Sequence, residues 1–171
     1  MGDPNHGYVN YLGKDAAVSS GLIKAEGDEL RIGVDSKTSG APRKSVRLES
    51  TATYNTGLFV AKFSHFPKPV CGAWPAFWMV GDNWPQDGEV DIYEMWSMAD
   101  HNRITYHTGT PNQVGECKLI DETHIETTET RNCDNYAQGQ WTNEGCGVTE
   151  KKGQWGNPNG GVCKWTLPPL T

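Results

Sequence analysis

Four acidic residues, Asp87, Glu89, Asp91 and Glu94, fall within eight positions of the stretch PQDGEVDIYEMW (85–96). Val90, Ile92, Tyr93 and Trp96 lie among them, so the segment carries charge on the pattern of a partly buried strand. Side chains two apart on a strand share a face, which sets Glu89 and Asp91 together with Val90 and Ile92 opposite. Glu94 stands five positions from Glu89, an odd number that would turn it into the core of a regular strand. An unpaired ionised carboxylate is too costly to bury there. One extra residue, a β-bulge at Ile92 or Tyr93, restores the parity and lines one open groove with three carboxylates.

Two carboxyl groups facing each other across a sugar are the equipment for glycoside hydrolysis. One attacks the anomeric carbon, the other protonates the leaving oxygen, and a separation of about 5–5.5 Å gives retention. A third carboxylate near the nucleophile helps to separate the two proton affinities. Trp74, Trp78, Trp84 and Trp96 surround the segment, with flat apolar faces suited to pyranose rings. The competing readings are a solvated sheet edge and part of a calcium site. DGEVDIYE does not fit an EF-hand, which needs acidic or Asn residues at alternate positions before its glycine.

The elements that would hold this strand read as short and β-type. Twenty glycines, ten prolines and no long 3.6-period apolar run favour many strands joined by turns, in one all-β domain. ELRIGVDS (29–36) is the strand candidate of the glycine-rich opening stretch. SVRLES (45–50) alternates, sending Val46 and Leu48 to one face and Arg47 and Glu49 to the other. GLFVAKFSHF (57–66) reads as a longer buried strand stopped by Pro67, and GAWPAFWMVG (72–81) as the next. In NRITYHTGT (102–110) Arg103, Thr105 and His107 share one side, with Ile104 and Tyr106 on the other. Residues 111–161 read as polar surface loops with weak strands. Neither a repeat nor a linker marks a domain boundary.

Composition excludes several functions. The net charge is −6 and the basic residues are scattered, so no basic stripe offers a nucleic-acid footprint. The most apolar run, AWPAFWMV, is far shorter than the roughly 20 residues that cross a bilayer. MGDPNHG lacks the order of a signal peptide. The five cysteines (71, 117, 133, 146 and 163) contain no C-x-x-C pair, against a zinc knuckle or thioredoxin-type motif. A disulfide between Cys133 and Cys146 could close a short loop; the alternative is five ordinary thiols. His6, His65, His101 and His124 show no paired metal spacing.

GEVDIYE resembles the active-site signature of glycoside hydrolase family 16 in its bulged form, Glu-x-Asp-x-x-Glu. GAWPAFWMVGDNWPQDGEVDIYEMW, with DPNHGYVNY, SVRLES, PVCGAWPAFW, RITYHT and GCGVT in order, is similar to fungal laminarinase-like endo-1,3(4)-β-glucanases from about residue 3 to about residue 162. The resemblance implies a β-jelly-roll sandwich of two antiparallel sheets whose concave face is the glucan cleft. It also implies Glu89 as nucleophile, Glu94 as general acid/base and Asp91 as the group that orients and tunes Glu89. Trp78 and Trp84 would line sugar subsites, Arg47 would hydrogen-bond substrate, and His107 would reach the carboxylates. The implied function is a retaining endo-β-glucanase on 1,3- or mixed 1,3-1,4-linked glucan, the alternative being an inactive or truncated paralogue that binds glucan without turnover. No cofactor is required, and a structural calcium ion, though compatible with the resemblance, cannot be assigned to residues. The expected partner is β-glucan alone, for a secreted monomer that touches neither nucleic acid nor membrane. Against the family pattern the chain reads as a partial catalytic domain over 1–171, truncated at both ends, with a divergent tail at 163–171. Pro168 and Pro169 exclude a central strand in that tail.

Overall fold

A computed structural model describes residues 3, 6–120 and 129–150 in full, with the backbone of 127–128 and 165–166. The divergent tail expected at 163–171 therefore lies, apart from the backbone of two residues, outside the described residues. The chain divides into two compact units, residues 1–55 and 56–171.

The first unit pairs β1 (Val9–Tyr11) in parallel with a later strand, an exception to the expected antiparallel pairing. Helix α1 (Lys14–Ser19) follows, and its one buried residue is Ala17. β2 (Ile23–Glu26) and β3 (Glu29–Ile32) form a hairpin with Glu26 opposite Glu29. Gly27 makes the turn at φ +62°, the left-handed region that a two-residue hairpin loop demands. The strand expected over 29–36 is therefore shorter, and β2 and α1 were not foreseen. β4 (Arg43–Ser45) is the partner of β1, with Val9 opposite Arg43 and Tyr11 opposite Ser45. The alternation in SVRLES does not become a strand. The pairing runs out where Leu12 N–H bonds the Ser45 carbonyl, and among the described residues no strand pairs with 46–50. Leu48 is 49% exposed rather than core-facing.

The second unit opens with β5 (Leu58–Phe59), a correction to the long buried strand expected over 57–66. Val60 is 70% exposed. Phe63 and Phe66, three residues apart, instead pack their rings together and onto Tyr93, with centroids 4.3–5.8 Å apart. A period of three cannot come from a regular strand, so irregular backbone serves this contact.

The centre is a five-stranded antiparallel sheet. β6 (Ala76–Val80), β7 (Glu89–Glu94) and β8 (Arg103–His107) lie side by side. After the short helix α2 (Pro111–Val114), β9 (Thr127–Thr130) and β10 (Cys146–Thr149) complete the order β6-β7-β8-β10-β9. β11 (Trp165–Thr166) pairs with β5. β9 and β10 fall where weak strands were expected among the surface loops of 111–161, but all four residues of β10 are buried rather than at the surface. CGVT carries too few large apolar side chains to announce a central strand; two flanking strands, not its own pattern, put it inside. Phe63 also meets Phe77, so an aromatic cluster covers the sheet face opposite the carboxylates. No helix among the described residues is long and apolar enough to cross a membrane.

Candidate active site

β7 carries the bulge that the parity of its carboxylates required. Tyr93 faces Phe77 and Asp91 faces Trp78 across β6, so two adjacent β6 residues span three on β7 and Ile92 is the extra one. Residues opposite each other in a sheet share a face. Val80 and Glu89, Trp78 and Asp91, and Ala76 and Glu94 therefore stand on the same side, while Phe77 and Tyr93 stand on the other. On the opposite flank His107 faces Glu89 and Thr105 faces Asp91. One face thus gathers Glu89, Asp91, Glu94, Trp78 and His107.

Each glutamate has its own indole. Trp74 Nε1 donates to Glu94 Oε1 at 2.6 Å, and Trp84 Nε1 donates to Glu89 Oε2. Trp74 is 65% exposed, so the bond leaves a broad ring face open beside the carboxylate. Trp84 stands on the turn between β6 and β7, whose ends are tied by Gly81 N–H to the Gly88 carbonyl and by Asn83 N–H to Asp87. Trp74 and Trp96 tilt against each other with centroids 6.2 Å apart.

Asp91 is nearly inaccessible and bonds His107 Nε2 through Oδ2 at 3.1 Å. The other ring nitrogen, Nδ1, meets Asn135 Oδ1 at 2.7 Å. Two oxygen acceptors on one imidazole suit its cation, which has two N–H donors. Burial works against that cation, but the bond and charge of Asp91, then Asn135 and Glu89, outweigh it and raise His107 above the usual histidine value. Gly145 makes the close fit feasible. Its φ is +64°, and a Cβ there would stand 2.3 Å from the Tyr106 carbonyl and 2.7 Å from His107 Nδ1.

The two glutamates are both harder to ionise than usual. Burial first, and the Asp91 charge second, raise Glu94 from 4.5 to about 7. The same causes in the same order raise Glu89, with His107 and the Trp84 indole pulling the other way.

Six of the seven residues singled out from sequence thus belong to the second unit, and five share one sheet face, with Trp84 reaching Glu89 from the turn. Arg47 belongs to the first unit, where its Nε bonds Glu49 at 2.8 Å outside any strand. Sequence reading credited Trp74 only as a ring face, not as the partner of Glu94. It missed Asn135 and Asn102. Asn135 carries one signal, its place inside the loop closed by Cys133 and Cys146, which are disulfide-bonded as the loop composition allowed. Cys71 and Cys117 are exposed free thiols. Among the described residues no cluster of His, Cys, Asp and Glu could hold a metal ion.

Comparison with known proteins decides the family. The model described as the XgeA-like catalytic domain of glycoside hydrolase family 16 matches residues 1–166. The chain belongs to glycoside hydrolase family 16. An endo-1,3(4)-β-glucanase of Arthroderma benhamiae is 40% identical over 96% of this chain and 37% of its own length. The endo-1,3(4)-β-glucanase xgeA of Emericella nidulans is 39% identical over 91% of this chain and 24% of its own. Laminarinase 16A of Phanerochaete chrysosporium, solved with 6-O-glucosyl-laminaritriose in donor and acceptor sites, superposes with a TM-score of 0.80 at 33% identity. That match takes in 98% of this chain and 60% of the laminarinase chain. An elongating family 16 β-1,3-glucosyltransferase superposes with a TM-score of 0.78 at 35% identity, over 92% of this chain and 52% of its own. The fold is therefore the β-jelly roll of the family, and the chain spans about a quarter to two-fifths of the curated relatives' length.

Proposed function

We propose that this chain is the catalytic part of a retaining endo-β-glucanase that cleaves 1,3- or mixed 1,3-1,4-linked β-glucan. The observation that carries the reading is the bulge at Ile92, which turns Glu94 onto the face of Glu89 and Asp91. Glu89 acts as nucleophile on the anomeric carbon and forms the covalent glycosyl-enzyme. Glu94 gives its proton to the leaving oxygen, then takes one from the water that releases the sugar. A value of about 7 keeps Glu94 protonated in mildly acid solution, as an acid requires. Asp91, held by His107, orients Glu89, and the indole of Trp84 stabilises the ionised form of Glu89.

Trp78 and Trp84 serve as sugar platforms. The named activities of the relatives support the substrate class. No cofactor enters the reaction, and the protein works outside the cell as a monomer on polysaccharide. Purified chain should release reducing sugar from laminarin and lichenan, with the first-formed anomer of β configuration by proton NMR and no release by Glu89→Ala. Glucan binding without any release would sink the hydrolytic reading, and an α first product would sink retention.

A further inference from the structure

The bulge that carries Glu94 onto the carboxylate face leaves backbone groups to satisfy. Across β6 the extra residue Ile92 has no opposite number. Across β8 the pairing stops at Asp91 and Thr105, so the last half of β7 has no strand rungs on that side. Buried carbonyl and N–H groups need partners. The side chain of Asn102, the residue just before β8, supplies them. Its Nδ2 donates to the Ile92 carbonyl at 3.1 Å, and its Oδ1 accepts the Glu94 N–H at 2.8 Å.

An asparagine side chain is a primary amide, with a donor and an acceptor arranged much as in a peptide unit. Here it stands in for the missing rungs to β8 and brackets Tyr93. Asn102 is fully buried, so it is out of reach of a sugar. Its own backbone is fixed by the bond from Glu150 N–H to its carbonyl at 2.9 Å. Through this chain of bonds β8 and β10 set the direction of the Glu94 backbone. The Glu94 side chain then meets Trp74.

We propose that Asn102 is a positioning residue for Glu94, its side-chain amide locking the Ile92 bulge in the register that keeps Glu94 beside Glu89 and Asp91. The proposal rests on the reading of Glu94 as general acid, and it predicts a loss confined to the step that needs the acid. Asn102→Asp keeps the size and the acceptor for Glu94 N–H but loses the donor to Ile92. Asn102→Ala loses both.

The test compares both variants with the parent chain on laminarin and on an aryl β-laminaribioside whose leaving group needs no protonation. The expected loss of kcat/KM on laminarin is about 10- to 100-fold for Asn102→Ala, part of what a whole general acid contributes, against less than about 3-fold on the aryl substrate. Asn102→Asp should fall between and carries the test if the alanine variant does not melt cooperatively. Equal losses on both substrates would overturn the proposal, since a merely weakened fold affects both alike. Carbon-13 NMR of the Glu94 carboxyl supplies a readout independent of turnover. Its titration midpoint should move by a unit or more in either variant, and the Trp74 indole signal should stop following it; an unmoved midpoint overturns the proposal. If the parent releases no sugar, the hydrolase reading fails while the NMR arm still decides the role of Asn102.

Discussion

At the scale of single residues, the two glutamates are told apart by what touches them. In the proposed reaction Glu94 acts protonated, and its value of about 7 sets an alkaline limb near neutrality. Glu89, the proposed nucleophile, acts ionised, and burial with Asp91 lifts its carboxyl, so the acid limb lies above the ordinary glutamate value. The rate should follow a narrow bell on the acid side of neutrality, measured as kcat/KM against pH. Glu94→Gln should cost about 10²- to 10⁴-fold on laminarin, with the alkaline limb gone, and far less on activated aryl glycosides. The indoles give a sharper test, because each bond favours the ionised form of its own carboxyl. Trp84→Phe should move the acid limb to higher pH and leave the alkaline limb, whereas Trp74→Phe should move the alkaline limb to higher pH and leave the acid one. Movement of the wrong limb in either variant would show that the carboxyl roles are exchanged.

At the scale of elements, the site depends on parity and on close approach. Deleting Ile92 leaves Glu94 an even number of positions from Glu89 in a regularly alternating strand, so Glu94 should stay on the face of Glu89 and Asp91. Hydrolysis of laminarin should therefore survive the deletion far better than Glu94→Gln, and a loss as large as in Glu94→Gln would show that the bulge does more than restore parity. Gly145→Ala meets both a positive φ and the His107 ring, so it should cost activity by displacing His107 from Asp91. The lost Asp91–His107 contact can be read from the imidazole titration. These elements were legible from sequence to different degrees. β7 and β8 were visible because polar and apolar residues alternate in EVDI and RITYH, and the misfit of Glu94 located the bulge. β10 was not, since a strand covered on both flanks can be built from Cys, Gly, Val and Thr without an apolar signature. SVRLES and GLFVAKFSHF erred the other way: alternation makes a strand only where a partner strand continues. Asn102 and Asn135 act through side-chain amides on distant backbone or on a ring, and no spacing rule in one sequence marks such contacts.

At the scale of the whole molecule, the site opposes the usual pH dependence of stability. Glu94, Glu89 and His107 all hold protons more tightly when folded than ordinary side chains do. A group raised in the folded state adds stability below its unfolded value and loses it as pH rises through its folded value. For Glu94 that window runs from 4.5 to about 7. His107 fades in the same direction, above the ordinary histidine value of 6.5. The protein should therefore melt highest in mild acid and weaken toward pH 8, because buried carboxyls are then charged, and charged close to Asp91. Glu94→Gln keeps the size and an acceptor for Trp74 without the charge. It should melt above the parent at pH 8, by roughly 2–4 °C for each kcal/mol relieved in a domain of this size, and the gap should close toward pH 4.5. Scanning calorimetry of both proteins across that range checks it, and a gap that is constant with pH would mean that the Glu94 charge is not strained in the folded protein. The disulfide between Cys133 and Cys146 counters this weakness, since it closes the loop that carries Asn135 against His107. Replacing both cysteines by alanine should lower stability by roughly 3 kcal/mol, the chain-entropy value for a loop of about this length. The loss should also loosen the imidazole that Asp91 holds, so the double variant should show a lower His107 titration midpoint by NMR as well as a lower melt. A lower melt with an unmoved midpoint would confine the disulfide to the fold and leave the site independent of it.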